Sequence, residues 1–518
     1  MSETENTSLA FTSTDKPLPA RWRVELFFHL ILPLILVVIV IFFFPYRAQF
    51  EFSSDEGVNL MKSMLMDNGY RLYGQIWSDQ PPVFSYLLAG VMRIAGYNVA
   101  PARALVLLFA CLLLWAAIQF MRLTWGNGAA VVTALLIFFL PRFFFLSFAV
   151  MIGLPAIALA MLSMLFLAYW HRQRKWVWLV LSALVLALSV LTKLFTGLLA
   201  PIFLIGLLAD EYTRLRALGK ILGKTWLQIL FPAFVWGVIF GLLGLVLGLA
   251  LVGVENIPQL IQAHLVASSA AQFNTVQFTL SWYLRPLIPI LILALVGAVL
   301  AIQRKRWLLV YPLAWSVLAY ALLVGHKPIW DHHQLLITIP VALLAAIAIY
   351  EIVYRQILLQ AIIKPLRLDL AGVFIVVSLL AFMAYFFPFH IIEPLNYLSI
   401  KPQISVTDLN MGPNHDKILR LVLKYAPKTE WMVTDAPMYA YRAGLLVPPN
   451  LAVVTAKRFV SGLISESDVV DTIKEYQPGI ILLGRFVYPD ARNRLLSDYH
   501  VVFEEDQASL YIRNDLLR

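Results

Sequence analysis

Charged residues make up only 14% of this chain, so the places where they gather narrow the search for chemistry. Asp55 and Glu56 stand in Phe50-Glu51-Phe52-Ser53-Ser54-Asp55-Glu56-Gly57, shortly after a first long apolar run from Leu26 to Tyr46. An ionised carboxylate at a lipid–water boundary can take a proton from a hydroxyl group, the task of a general base. Ser53 and Glu56 have capping-box spacing, which predicts a helix starting here with Asp55 at its amino end. The same two acids would serve as plain helix caps, and local pattern leaves both roles open. A further acid, Asp79, follows in Ser78-Asp79-Gln80-Pro81-Pro82.

The cations that could complement these acids lie at ends of apolar runs: Arg103, Arg142, Lys193, Arg285 and Lys327. Charges there are costly unless they snorkel to the interface or serve a site. Lys193 is the sharpest case, because Leu191-Thr192-Lys193-Leu194 joins two apolar runs with almost no loop. An ammonium at such a turn could hold a lipid-borne phosphate, and snorkelling is the plainer account of each cation taken singly. His332 and His333, in Gly325-His326-Lys327-Pro328-Ile329-Trp330-Asp331-His332-His333-Gln334, can hydrogen-bond phosphate. Adjacent histidines face different sides of a helix and do not readily chelate one ion, and adding Asp331 gives no recognised metal spacing. No metal ligand set and no cofactor is assigned, and a divalent cation stays open. His264 stands alone in its loop and carries no weight.

Positioning these groups falls to membrane helices. With 61% hydrophobic residues over 518, the chain is a polytopic helical membrane protein. Its net charge of +10 does not point to nucleic acid, because the basic residues cluster in short loops between apolar runs. The single cysteine, Cys111, excludes an internal disulfide. Residues 1–25 read as a polar cytoplasmic tail, and nothing in Met1–Ala20 has the order of a cleaved signal peptide. After Leu26–Tyr46, a short amphipathic helix is predicted from Ser53 to a stop at Asn68-Gly69, lying on the membrane surface with Val58, Met61, Met64 and Leu65 on one face. Val83–Ile94 is too short to span with ease and reads as re-entrant or interfacial.

Ten further runs follow: Ala104–Met121, Gly128–Leu140, Phe148–Trp170, Trp176–Leu191, Leu194–Ala209, Trp226–Val252, Trp282–Ile302, Trp307–Val324, Leu335–Tyr354 and Leu370–Phe387. With the amino terminus inside, the loops holding Arg122, Arg172/Arg174/Lys175, Arg214/Arg216, Arg304/Lys305/Arg306 and Arg355/Lys364/Arg367 all fall on the cytoplasmic side. That gives about 11 spans over residues 26–388, an outer loop at 46–100 and an extracytoplasmic tail. The tail, 389–518, alternates helix candidates (Asp416–Tyr425, Glu466–Tyr476, Asp490–Tyr499) with strand candidates (Trp431–Thr434, Leu451–Val454, Ile480–Leu483, Leu510–Ile512), as a small α/β domain would.

The order of these features resembles the GT-C glycosyltransferases of the protein O-mannosyltransferase and aminoarabinose-transferase type, family 39 and its relatives. The likeness rests on Asp55-Glu56 after the first span, then Asp79-Gln80-Pro81-Pro82-Val83-Phe84, Ala95-Gly96-Tyr97 and Ala102-Arg103. Thr192-Lys193, His332-His333-Gln334 and, in the tail, Ala440-Tyr441-Arg442-Ala443-Gly444 add to it. The resemblance implies a polyprenyl-phosphate-linked sugar as donor, used at the outer face of a plasma (inner) membrane. The family's catalytic aspartate maps onto Asp55, with Glu56 beside it. Transfer would proceed with inversion to a lipid, glycan or protein acceptor. Lys193, Arg103, Gln80, Asp79, His332, His333 and Arg285 are the expected substrate contacts. Gln80 departs from the family pattern, since the aminoarabinose-transferase type has a phosphate-contacting lysine before its double proline.

A transporter or flippase of lipid-linked glycans is the alternative from another class. Such proteins carry internal repeats and ionisable groups in mid-span, and this sequence shows neither clearly.

Overall fold

The computed structural model describes residues 21–44, 46–47, 49–140, 142–219, 225–269, 284–326, 329–352, 415–486, 488, 497–505 and 508–518. Seven helices are long and apolar enough to cross a membrane: α1 (Trp22–Phe43), α4 (Val99–Thr124), α6 (Gly153–Gln173), α8 (Leu194–Ala217), α9 (Trp226–Val252), α12 (Trp307–Gly325) and α13 (His332–Ile352). Four shorter apolar helices accompany them: α3 (Val83–Ala95), α5 (Asn127–Phe138), α7 (Trp176–Val190) and α11 (Ile288–Gln303). The expected last run, Leu370–Phe387, and the boundary between the membrane part and the tail lie outside the described residues.

Apolar composition alone does not decide which helices sit inside and which face lipid. In α13, 89% of the most apolar window is buried, against 11% in α9, although both are strongly apolar. A helix that is apolar all round and exposed needs a lipid neighbour, and α9 turns Leu242, Leu245 and Val246 outward. α13 is instead wrapped by α5, α11 and α12. The close approach of α11 depends on Gly297, where a β-carbon would run into the Leu344 carbonyl oxygen. Small residues at helix crossings are how membrane bundles gain packing contacts without a hydrophobic driving force.

At one end of the bundle the expected cytoplasmic cations find partners. Arg122 pairs with Glu25 at 2.9 Å, and Arg304 and Trp125 both reach Glu351, at 2.5 and 2.9 Å. Arg174 pairs with Asp210 at 2.5 Å.

At the other end lies α2 (Ser54–Asp67), the helix predicted after Ser53, which stops at Asn68 and Gly69 as expected. Its surroundings differ from the surface position predicted for it. Ser54 and Glu56 through Leu65 are all buried, including Lys62, Asn59 and Ser63, because α3 covers one side and α15 (Pro437–Ala443) of the tail covers another. The approach of α15 is tight: a β-carbon on Gly57 would lie 2.6 Å from the Met438 nitrogen. The capping box also differs. Ser53 Oγ accepts from the Asp55 amide, but Glu56 accepts from the Phe52 amide instead, at 2.7 Å.

The tail holds a four-stranded sheet in the order β1-β2-β4-β3, from β1 (Met432–Thr434), β2 (Ile480–Leu483), β3 (Tyr499–Glu505) and β4 (Ala508–Arg513). β1 and β2 are parallel, while β4 runs antiparallel to β2 and β3. α14 (His415–Tyr425) and α16 (Glu466–Tyr476) fall where the helix periodicity placed them. Leu451–Val454 is not a strand: Pro448 and Pro449 lead into a 3-10 turn at Pro449–Leu451 and remove ladder donors. Of the helix candidate Asp490–Tyr499, the described residues 497–498 form a turn and Tyr499 opens β3.

Candidate active site

Asp55 is the second residue of α2, half-buried, and its carboxylate accepts no hydrogen bond from the described residues. Burial raises its pKa, and the charges of Arg485, Lys193 and Lys62 pull it back while Asp79 adds to the rise. Two turns along the same helix face, Lys62 is only 2% exposed. Burial pushes its amine down, opposed by Asp79 and Asp55. Lys62 donates no hydrogen bond to the described residues, so its ammonium is held only by the field of those two acids.

Lys193 enters from the turn between α7 and α8. Burial lowers its amine to about 8, with Asp55 and Asp79 opposing. The turn is tied to the Asp79–Pro82 segment, because the Val83 amide donates to the Leu191 carbonyl at 3.1 Å. That bond joins the segments carrying Asp79 and Lys193, over a hundred residues apart. Lys193 Nζ sits over the Phe195 ring, and Phe195 in turn meets His326 and His333 edge-on. His332 packs against His333 with ring centroids 4.5 Å apart. The two histidines therefore form a wall behind Lys193.

Asp79 is gripped from the tail. Lys457, in the one-turn helix Ala456–Val460, donates to Asp79 Oδ2 at 2.6 Å and meets His264 Nδ1 at 2.7 Å. Burial opposes the ionised form of Asp79, but Lys457 and His264 outweigh it and hold the pKa low. His264, discounted in the sequence, lies on α10 (Ile257–Ser269) and is part of the site. Its pKa is lowered, by burial first and Lys457 second. The Gln80 carbonyl accepts from Tyr73 Oη at 2.7 Å, which fixes the bend before the two prolines.

Glu56 and Arg103 are elsewhere engaged. Their side chains, both fully buried, form a bidentate pair at 3.1 and 2.8 Å. Arg103 also donates to the Tyr46 and Gln49 carbonyls, and Glu56 accepts from the Val150 amide. This pair clamps the segment before α2 onto α4 and leaves neither residue turned toward Asp55. Glu56, expected in catalysis, and Arg103, expected in phosphate contact, thus each have their charge neutralised by the other in this structure. Arg285 is exposed and takes no part in the contacts around Asp55. Lys327 lies outside the described residues.

Lys62, Lys457, Arg485 and His264 were missed by sequence reasoning. Lys62 carried a usable signal, a lone lysine seven residues after Asp55 in a largely apolar stretch. Lys457 and Arg485 carried none, because only the docking of the tail brings them near. Among the described residues no three His, Cys, Asp or Glu side chains converge, and Lys457 lies within hydrogen-bond distance of both Asp79 and His264.

A helical bundle with an acid-bearing helix at one end, capped by a small α/β domain, defines a multi-pass membrane protein of the GT-C fold. Residues 79–236 match the family model of dolichyl-phosphate-mannose-protein mannosyltransferase. The chain is similar to ArnT from Cupriavidus metallidurans in the apo state, at 13% identity and a TM-score of 0.57, over 93% of this chain and 97% of that one. The same protein bound to undecaprenyl phosphate gives 13% identity and a TM-score of 0.58 over the same shares. The archaeal oligosaccharyltransferase AglB from Archaeoglobus fulgidus, in complex with an inhibitory peptide and a dolichol-phosphate, gives 13% identity and a TM-score of 0.53, over 89% of this chain and 69% of that one. No curated protein matches the sequence.

Proposed function

We propose that this protein is a glycosyltransferase that moves a sugar from a polyprenyl-phosphate donor to an acceptor hydroxyl at the outer face of a plasma (inner) membrane. The observation that carries the reading is one unpaired, half-buried carboxylate, Asp55, within the field of Lys62, Lys193 and Arg485. The family match over 79–236 and the undecaprenyl phosphate bound by the similar ArnT structure support the donor class.

In this reading the acceptor hydroxyl attacks the anomeric carbon and Asp55 takes its proton. The bond from the anomeric carbon to the phosphate oxygen breaks on the opposite side, so the configuration inverts. The lipid phosphate leaves as an anion and needs cations more than an acid. Lys193 and Lys62 supply them, with His332 and His333 backing Lys193 and Gln80 near the same turn. Asp79 holds Lys457 and His264 in place around the phosphate.

Purified protein incubated in detergent with a panel of undecaprenyl- and dolichyl-phosphate sugars tests the reading. Release of free polyprenyl phosphate by the wild type and its loss in Asp55→Asn are expected. Turnover retained in Asp55→Asn would remove the base assignment, and labelled lipid equilibrating across vesicles without cleavage would favour a flippase.

A further inference from the structure

The tail contributes more than a cover. In the parallel pair β1 and β2, the chain leaves both strands at the same edge, where Thr434 stands opposite Leu482. Ligand-facing loops of parallel sheets gather at this carboxyl edge. Here the two exits are Asp435 and the segment Gly484-Arg485-Phe486. Asp435 is 1% exposed, and its carboxylate accepts the backbone amides of Gly484 at 3.3 Å, Arg485 at 2.8 Å and Phe486 at 2.9 Å. Phe486 is further fixed by stacking on Phe459, with ring centroids 4.9 Å apart. The side chain so presented crosses to the membrane part. Arg485 Nη2 donates to Ser54 Oγ at 2.8 Å, one residue before Asp55, and Arg485 Nη1 is buried with no partner among the described residues.

We propose that Asp435 is a positioning residue: by gripping the Gly484–Phe486 backbone it holds the Arg485 guanidinium against Ser54 at the amino end of α2, beside Asp55. A three-bond grip on backbone is costly to build around a buried acid and serves no strand pairing. Its effect is to remove the freedom of one long side chain at the place where that side chain faces a carboxylate.

Asp55 feels four charges: Arg485 from the tail, Lys193 from the α7–α8 turn, Lys62 from its own helix and Asp79 from the loop before α3. Arg485 is the strongest of them and acts against burial. Its removal therefore shifts Asp55 further toward the protonated acid. The meaning of this device for catalysis rests on Asp55 as the base, whereas its existence does not.

The test needs no substrate. Full-length protein in detergent is treated with dicyclohexylcarbodiimide, which modifies protonated buried carboxyl groups, and labelling of the Asp55 peptide is followed by mass spectrometry against pH. The labelling midpoint should rise by about one pH unit in Arg485→Gln, the size expected for loss of one nearby opposite charge. Arg485→Lys should stay close to wild type, and Asp435→Asn should rise with Arg485→Gln. The double variant should move no further than Arg485→Gln alone, because Asp435 acts only through that cation. Should Asp435→Asn not fold, Asp435→Glu, which keeps the charge but lengthens the grip, carries the same expectation. An unmoved midpoint in Arg485→Gln, or additive shifts in the double variant, overturns the proposal. Those outcomes leave the Asp55 base reading standing. Conversely, turnover in Asp55→Asn would end that reading without touching the midpoints.

Discussion

Arg103 and Glu56 meet through two hydrogen bonds, at 2.8 and 3.1 Å, with both side chains sealed from solvent. Glu56 follows Asp55 directly in the chain, yet the two acids have opposite fates. On a helix, adjacent residues point about 100° apart, so one faces the α4 side and the other the polar cluster.

The first prediction concerns that pair. Arg103→Met leaves Glu56 buried and unpaired, and Glu56→Gln does the same to Arg103. Removing one partner of a buried pair costs about 3–5 kcal/mol. Thermal unfolding in detergent should show either variant strongly destabilised. A melting temperature equal to wild type in both would mean the pair is not a clamp.

Lys62 should behave in the opposite way. A buried ammonium with no hydrogen-bond partner is a burden on folding, so Lys62→Met is expected to keep stability within about 1 kcal/mol of wild type or improve it. Turnover should fall at least about tenfold, as for a group that stabilises developing charge. Unchanged turnover would assign Lys62 to packing alone.

The pH profile should be bell-shaped. On the acid side, Asp55 must be ionised, and burial holds its pKa above the usual carboxylate value, so turnover falls as pH drops through that raised value. On the alkaline side, Lys193 must be charged, and turnover falls as pH rises through about 8. In Lys193→Arg the alkaline limb should disappear, because guanidinium stays protonated there. An alkaline limb that persists at the same pH in Lys193→Arg would clear Lys193 of the role.

Gly57→Ala should loosen the tail. The added carbon would meet Met438 backbone at 2.6 Å, so α15 must lift away from α2. Overpacking of this kind costs about 1–3 kcal/mol. Limited proteolysis should cleave the tail faster in the variant. Equal rates would show that the contact yields without consequence.

Much of the scaffold was legible because its signals are local. Apolar run length marked the membrane helices, and a stop at Asn68-Gly69 closed α2 where expected. The helix candidate Glu466–Tyr476 likewise matches α16. Errors arose where a partner distant in the chain decided the outcome. α2 has an amphipathic pattern that suits a membrane surface, but α15 arrives from about 380 residues later and buries its other face. Glu56 has the right spacing to cap Ser53, yet Arg103 draws its carboxylate away.

The sequence alone determined that this is a membrane bundle with an acid after its first apolar helix, since hydrophobic length and charge placement are properties of single segments. Which groups share a space with that acid was decided only in three dimensions. The turn carrying Lys193 is tied to the Asp79 segment by a backbone bond between Val83 and Leu191, and Lys457 and Arg485 reach Asp79 and Ser54 through the seating of the tail. Electrostatic coupling depends on distance in space, and no segment of a chain records how far its neighbours will be once it has folded.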